Sequence, residues 1–246
     1  MKKILFTTFF LLIFHFIGYS QQSLTKMINS IKGKDFEKIY SNRNKITDYQ
    51  QQAIPLLIAL LKDTSFVELD HMPGGFFYDG YPNVLCGRAV KESLPYSLNL
   101  ICIRASWLLE EITFQDFGYK DLSIYDYDTQ SEHLKDSVEI VQLQEQLIKM
   151  SDTVTAWWKT NSSTWTRFNA LKEALVSNVD FRGRSALRYL LAGRTKCDGL
   201  TIDSYNKELK PLVQAIKDKN EENAVYANDL ISDDTYYWFG QKTKKK

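Results

Sequence analysis

The chain is poor in the residues that most often do chemistry. It has three histidines, and His15 lies in the first twenty residues. The other two, His71 and His133, have no cysteine or carboxylate at ligand spacing, which argues against a zinc site of the usual kinds. Cysteine is equally scarce. Cys86, Cys102 and Cys197 are an odd set and too few to staple a fold, so a hydrophobic core must carry stability. Two readings of them stay open: one bridge, best drawn between Cys86 and Cys102, which flank one loop-to-helix passage, or three buried small apolar residues. No GxSxG, no glycine-rich phosphate loop and no cysteine beside a base occurs. Net charge is nearly absent as well, with 31 basic against 30 acidic residues, or 29 against 30 once Lys2 and Lys3 are set aside. That balance argues against a nucleic-acid protein held by bulk electrostatics.

What is present begins with the first twenty residues. Lys2 and Lys3 precede an apolar run from Ile4 to Ile17, and Gly18, Tyr19 and Ser20 lead into polar Gln21 and Gln22. This is the layout of a secretory signal peptide over 1–20, cut after Ser20. The run is short for a membrane anchor, and no later stretch is long and apolar enough to span. The expectation is an exported product, periplasmic or extracellular, with no stable membrane span.

The body, 21–240, reads as all-α, with sub-units at 21–119 and 134–240 and a disordered basic tail at 241–246. ICIRASWLLEEITFQDFG, from Ile101 to Gly118, places Ile101, Ala105, Leu108 and Ile112 at helical spacing and predicts a helix buried along one side and stopped at Gly118. Ile54, Leu57, Ile58 and Leu61 form a second stripe, and the simplest arrangement packs the two together. Thr47 or Asp48 reads as the N-cap of that second helix, with Pro55 in its first turns. Ile140, Leu143, Leu147, Met150, Val154 and Trp157 make a heptad-like seam on one long helix. Phe168, Leu171 and Leu175, then Leu187, Leu190 and Leu191, then Leu209, Leu212, Val213 and Ile216 mark three more, and 221–231 a last short one.

PLLIALLKD, Pro55 to Asp63, resembles the first helix of a HEAT repeat: a proline, a leucine stripe and a closing aspartate. The second-helix pattern of such repeats falls on Ile101, Ala105, Ser106, Leu108, Leu109 and Ile112. FRGRSALRYLLA places Phe181, Arg182, Ser185, Ala186 and Tyr189 similarly. Cys102 stands where the repeat has arginine, Arg104 is displaced by two, and the link from Asp63 to Ile101 is far longer than a HEAT turn. The resemblance, to HEAT and armadillo-like proteins, covers about half of the mature chain. It implies stacked antiparallel helix pairs in a short right-handed superhelix, offering an extended surface to a protein or peptide partner.

No constellation reads as catalytic, and no metal or cofactor is implied. Asp126, Asp128 and Gln130 imitate the start of a calcium loop, but Ser131 and Ser137 replace its glycine and its glutamate. Adjacent Glu110 and Glu111 point about a hundred degrees apart on a helix, and read as a solvated edge with Arg104 offering an ion pair to Glu111. An unrecognised hydrolase would need one of them in a cleft. The partner-binding candidates are Phe76, Phe77, Tyr78 and Tyr81, in the Gly-aromatic loop DHMPGGFFYDGYPNVLCG, together with Arg184 and Arg188 on one helix face and Trp158. The loop aromatics equally suit a carbohydrate or cell-wall binding module, or a satellite core folded under the loop. If the loop holds sugars, Tyr78→Ala and Tyr81→Ala abolish retention on immobilised glycans without lowering the melting temperature; unchanged retention removes that reading.

Overall fold

The computed structural model describes residues 21–70, 98–122, 138–192, 196–219 and 223–232. Residues 21–30 are helical (α1), followed by α2 (Phe36–Asp48), α3 (Ile54–Leu60), α4 (Ile101–Thr113) and α5 (Val138–Asn161). The chain continues through α6 (Arg167–Leu175), α7 (Asp180–Ala192), α8 (Lys210–Asp218) and α9 (Ala224–Ser232). A single turn at Ile202–Ser204 and a wide π-helical turn at Tyr205–Leu209 lead into α8. The described residues are mostly helical and contain no strand, only two isolated bridges, Asp35 with Asp70 and Phe66 with Leu100. None of the described helices is long and apolar enough to cross a membrane.

The two apolar stripes pack on each other, α3 against α4. Ile54, Leu57 and Leu61 are completely buried, and Pro55 sits at the start of α3, where its missing N–H leaves no bond unmade. Helix α4 goes further than one stripe: every residue except Glu111 is buried. It also touches α2 and α6, so neighbours cover it all round. It stops earlier than Gly118. Phe114, with φ 53°, takes the left-handed conformation after Thr113, and its N–H donates to the Glu110 carbonyl at 2.8 Å. Thr47 and Asp48 are not a helix start either. They close α2, whose N-cap is Asp35, its carboxylate accepting the Lys38 N–H at 2.9 Å.

Segments far apart in the chain meet where α3 ends and α4 begins. The Cys102 N–H donates to the Asp63 carbonyl at 2.9 Å, Ile101 N–H to Ser65 at 3.2 Å and Val67 N–H to Asn99 at 2.7 Å. The Asp63 side chain accepts from Ser65 N–H and pairs with Lys32 at 3.1 Å. Partial burial pushes its pKa up, but the Ser65 and Lys32 contacts prevail and hold it below the usual carboxylate value.

Arg104 ties this junction. Its guanidinium is completely buried and donates to four main-chain carbonyls: Ile31 at 2.8 Å, Gly33 at 2.5 Å, Leu98 and Val67. Burial draws its pKa down to about 10, so it remains cationic at neutral pH. Arg104 therefore does not serve Glu111 as expected. That carboxylate is held by Arg43, through Nε to Oε2 at 2.7 Å and Nη2 to Oε1 at 2.6 Å. The Arg43 guanidinium also lies over the Tyr40 and Trp107 rings.

In the second half α6 packs on α7, α7 on α9 and α8 on α9, while α6 meets α4. Helix α5 runs unbroken through Ser151 and Asp152 and buries Leu147 and Val154, with Leu143, Met150 and Trp157 half-buried along the same seam. It lies against α3.

Removing the guanidinium strands four carbonyls, in two buried bonds (Ile31, Leu98) and two part-buried ones (Gly33, Val67). Arg104→Met is expected to lower unfolding free energy by about 3 kcal/mol or more, with Arg104→Lys intermediate, since one ammonium satisfies fewer acceptors. Urea denaturation followed by circular dichroism measures both.

Candidate functional site: a cleft at the joint

Where the two halves meet, three segments line a cleft of about 440 Å³: Asp48–Gln52, Trp165–Arg167, and Lys196 with Asp198. Each wall has a local origin. Helix α2 ends at Asp48, and Gln50, with φ 47°, reverses the chain in the left-handed region, where a side chain is strained. The second wall is the start of α6, capped by Thr166, whose hydroxyl accepts the Asn169 N–H at 3.2 Å. The third is pinned to the first: Lys196 N–H donates to the Asp48 carboxylate and Asp198 N–H to Gln50 Oε1 at 3.1 Å. Gln51 Nε2 reaches across to the Ser162 carbonyl at 2.6 Å.

Arg167 stands behind the cleft and holds all three walls. Only 2% exposed, it donates to the carbonyls of Thr47 at 3.0 Å, Lys196 at 2.9 Å and Glu111 at 3.2 Å. Thr47 and Glu111 lie in the last turns of α2 and α4, so the negative ends of two helices stabilise the cation where a carboxylate would ordinarily do so. Its planar face lies 4.7 Å from the Tyr189 ring centroid and 5.6 Å from that of Phe114. Arg182 repeats the device, its Nε donating to the Phe114 carbonyl at 3.0 Å, and burial lowers its pKa. Two buried N–H groups on the Trp165–Arg167 wall have no partner: the indole Nε1 of Trp165 and the Nε of Arg167.

A row of rings backs this wall. Phe117 lies 5.2 Å from Trp157, Trp157 5.9 Å from Trp158, and Trp158 6.0 Å from Trp165. Trp158, a candidate from sequence, is thus half-buried in the aromatic row beside Trp165. Arg184 and Arg188 share α7, also half-buried, but lie outside the cleft lining; Arg184 Nε donates to Asn223 Oδ1 at 3.4 Å. Phe76, Phe77, Tyr78, Tyr81 and Cys86 fall outside the described residues, so the Gly-aromatic loop does too.

Cys102 and Cys197 have free thiols, and burial pushes them up to about 12 and about 11 respectively. Neither is ionised at neutral pH. Glu110 is not a solvated edge: it is 1% exposed and accepts the Phe117 N–H at 2.8 Å, holding the turn that follows α4. With Glu111 engaged by Arg43, the two carboxylates serve different structural partners.

Gln50, Trp165, Arg167 and Lys196 were not singled out by sequence patterning, and Asp48 only as a candidate helix cap. The nearest local signals are the Gln50–Gln52 run just ahead of Pro55 and an aromatic beside the Thr166 cap. Nothing in spacing joins position 48 to 167 and 198. The carboxylates that line the cleft are already engaged, Asp48 by a main-chain N–H and Asp198 by the Lys196 amine at 3.1 Å. Carboxamides, two rings and paired charges make a surface suited to holding a ligand.

The strain at Gln50 is measurable by comparing two truncations. Gln50→Ala and Gln50→Gly both lose the bond to Asp198, but only alanine keeps the cost of positive φ. The alanine variant is expected to be less stable than the glycine one by about 1 kcal/mol, read from thermal or urea melts. No protein-family model matches this chain, and neither the curated proteins nor the solved structures give a match.

Proposed function

We propose that this protein is an exported, non-catalytic scaffold of stacked helix pairs, akin to HEAT and armadillo-like proteins, that binds a segment of a protein partner in the cleft at its joint. The observation that carries the reading is the cleft itself. Two segments, 162–167 and 196–198, each more than a hundred residues along from 48–52, are pinned to it around the cleft by specific hydrogen bonds, at the expense of a left-handed glutamine. Local strain held in place by its surroundings is characteristic of binding sites. The residues around it are of binding type: amides, rings and neutralised charges, with no nucleophile set beside a base among the lining residues. Export follows from the leader-like layout of residues 1–20.

The test fills the cleft. Gln52 lines it and is exposed, so Gln52→Trp adds bulk there without disturbing the core. The wild-type chain, immobilised, is expected to retain a protein from the exported fraction saturably. The variant is expected to retain it at least about tenfold more weakly, with an unchanged melting temperature. Absence of saturable retention, or equal retention by the variant, overturns the proposal.

A further inference from the structure

We infer that residues 196–198 form a releasable strap that swings about Gly199 and converts the three-walled cleft into an open groove, so that a chain segment can be laid in from the side. The inference goes beyond the binding role just proposed and concerns the wall itself, whatever the cleft binds. It starts from how that wall is held. Lys196 N–H donates to the Asp48 carboxylate, Asp198 N–H donates to Gln50 Oε1 at 3.1 Å, and the Lys196 carbonyl accepts from Arg167 at 2.9 Å. All three partners are side chains of the other two walls, and residues 196–198 belong to no helix or strand. The Lys196–Asp198 ion pair lies within the segment and ties it to nothing else.

Burial adds little to these bonds. Lys196, Asp198 and Gly199 are exposed, and Cys197 alone of the four packs on the core, half-buried. The other two walls are carried by helices: 48–52 joins the end of α2 to α3, and 165–167 opens α6. The root of the strap is firm by contrast. Leu200 is buried, and Thr201 and Ser204 cap each other's main chain. Between strap and root stands Gly199, with φ 88°, a residue free to take either sign of φ and so a natural pivot. A segment with few apolar contacts and hydrogen bonds that water can replace opens separately from the rest of its fold. At about tenfold for each bond, three hold the strap closed by about a thousandfold, at the low end of the folded-to-unfolded ratios of small domains. Lifting it takes Lys196 and Asp198, the whole third wall, out of the cleft lining.

The experiment is native-state hydrogen exchange of the full-length chain, read amide by amide by NMR at increasing urea. The Lys196 and Asp198 amides are expected to exchange about tenfold to a thousandfold more slowly than unstructured ones, with similar protection at both and almost no urea dependence. The Leu108 amide, inside buried α4, is expected to exchange only through global unfolding, at least about tenfold more slowly still and with a steep urea dependence. Ile103→Val trims a buried side chain of α4 outside the cleft lining. It is expected to speed exchange at Leu108 about threefold to tenfold and to leave Lys196 and Asp198 within about twofold. Gln50→Gly deletes the acceptor of Asp198 alone, so a strap moving as one unit is expected to exchange about fivefold faster at both amides. Faster exchange at Asp198 only, or at neither, overturns the inference. Exchange at both positions that tracks Leu108 in rate and urea slope overturns it too, since the wall is then part of the core, as does exchange with no protection. If the glycine variant does not fold, the urea series on the unaltered chain decides alone. None of these outcomes touches retention of a partner, so the proposed function stands or falls separately.

Discussion

A guanidinium taken out of water must have its N–H groups met, and in this fold the partners are main-chain carbonyls. Arg104 shows the constraint most plainly. Its four acceptors lie at Ile31, Gly33, Val67 and Leu98, in segments that are otherwise loops or helix ends with carbonyls to spare. The cation thus answers two needs at once: its own desolvation, and the hydrogen-bonding demand of irregular chain packed against a buried helix. Around it α4 can be buried at every residue but Glu111, because the polar backbone nearby already has a common donor.

Arg167 and Arg182 apply the same solution at the joint between the halves. A helix ends with carbonyls that no residue of its own can satisfy. Here α2 and α4 both end in left-handed, non-glycine residues, Gln50 and Phe114, and turn their last carbonyls toward arginines from the other half. The arginine that completes the helix ends also forms the back wall of the cleft. On the proposed reading, binding surface and structural joint are made from one set of contacts.

The helices were largely legible in the sequence, because apolar periodicity is a local property. The stripes at Ile54 to Leu61 and Ile101 to Ile112 do pack on each other, and the seam from Leu143 to Trp157 does face the body. Boundaries were less legible. Asp48 before an apolar run looks the same whether it opens the next helix or closes the previous one, and Phe114 gives no sign in the sequence that it will adopt positive φ. The arginines were misread for a deeper reason. A carboxylate seven positions along the same helix, two turns away, is visible as a potential partner, whereas a carbonyl is present at every residue and marks no position. Arg104 was accordingly assigned to Glu111, which Arg43 takes. The cleft escaped notice because its walls become neighbours only after folding.

The contacts that define this protein are distant along the chain. Arg104 reaches Ile31 across 73 positions, Arg167 reaches Thr47 across 120, and Lys196 and Asp198 reach Asp48 and Gln50 across 148. An all-helical protein is usually rich in near-neighbour contacts and folds quickly, but here loop-closure entropy must be overcome before the defining bonds form. A chain synthesised or translocated from its N-terminus cannot finish its first hundred residues alone: α2 waits for a short stretch beyond α7 to emerge and complete its end. Vectorial emergence therefore sets the order of assembly, with the earliest helices among the last to be locked.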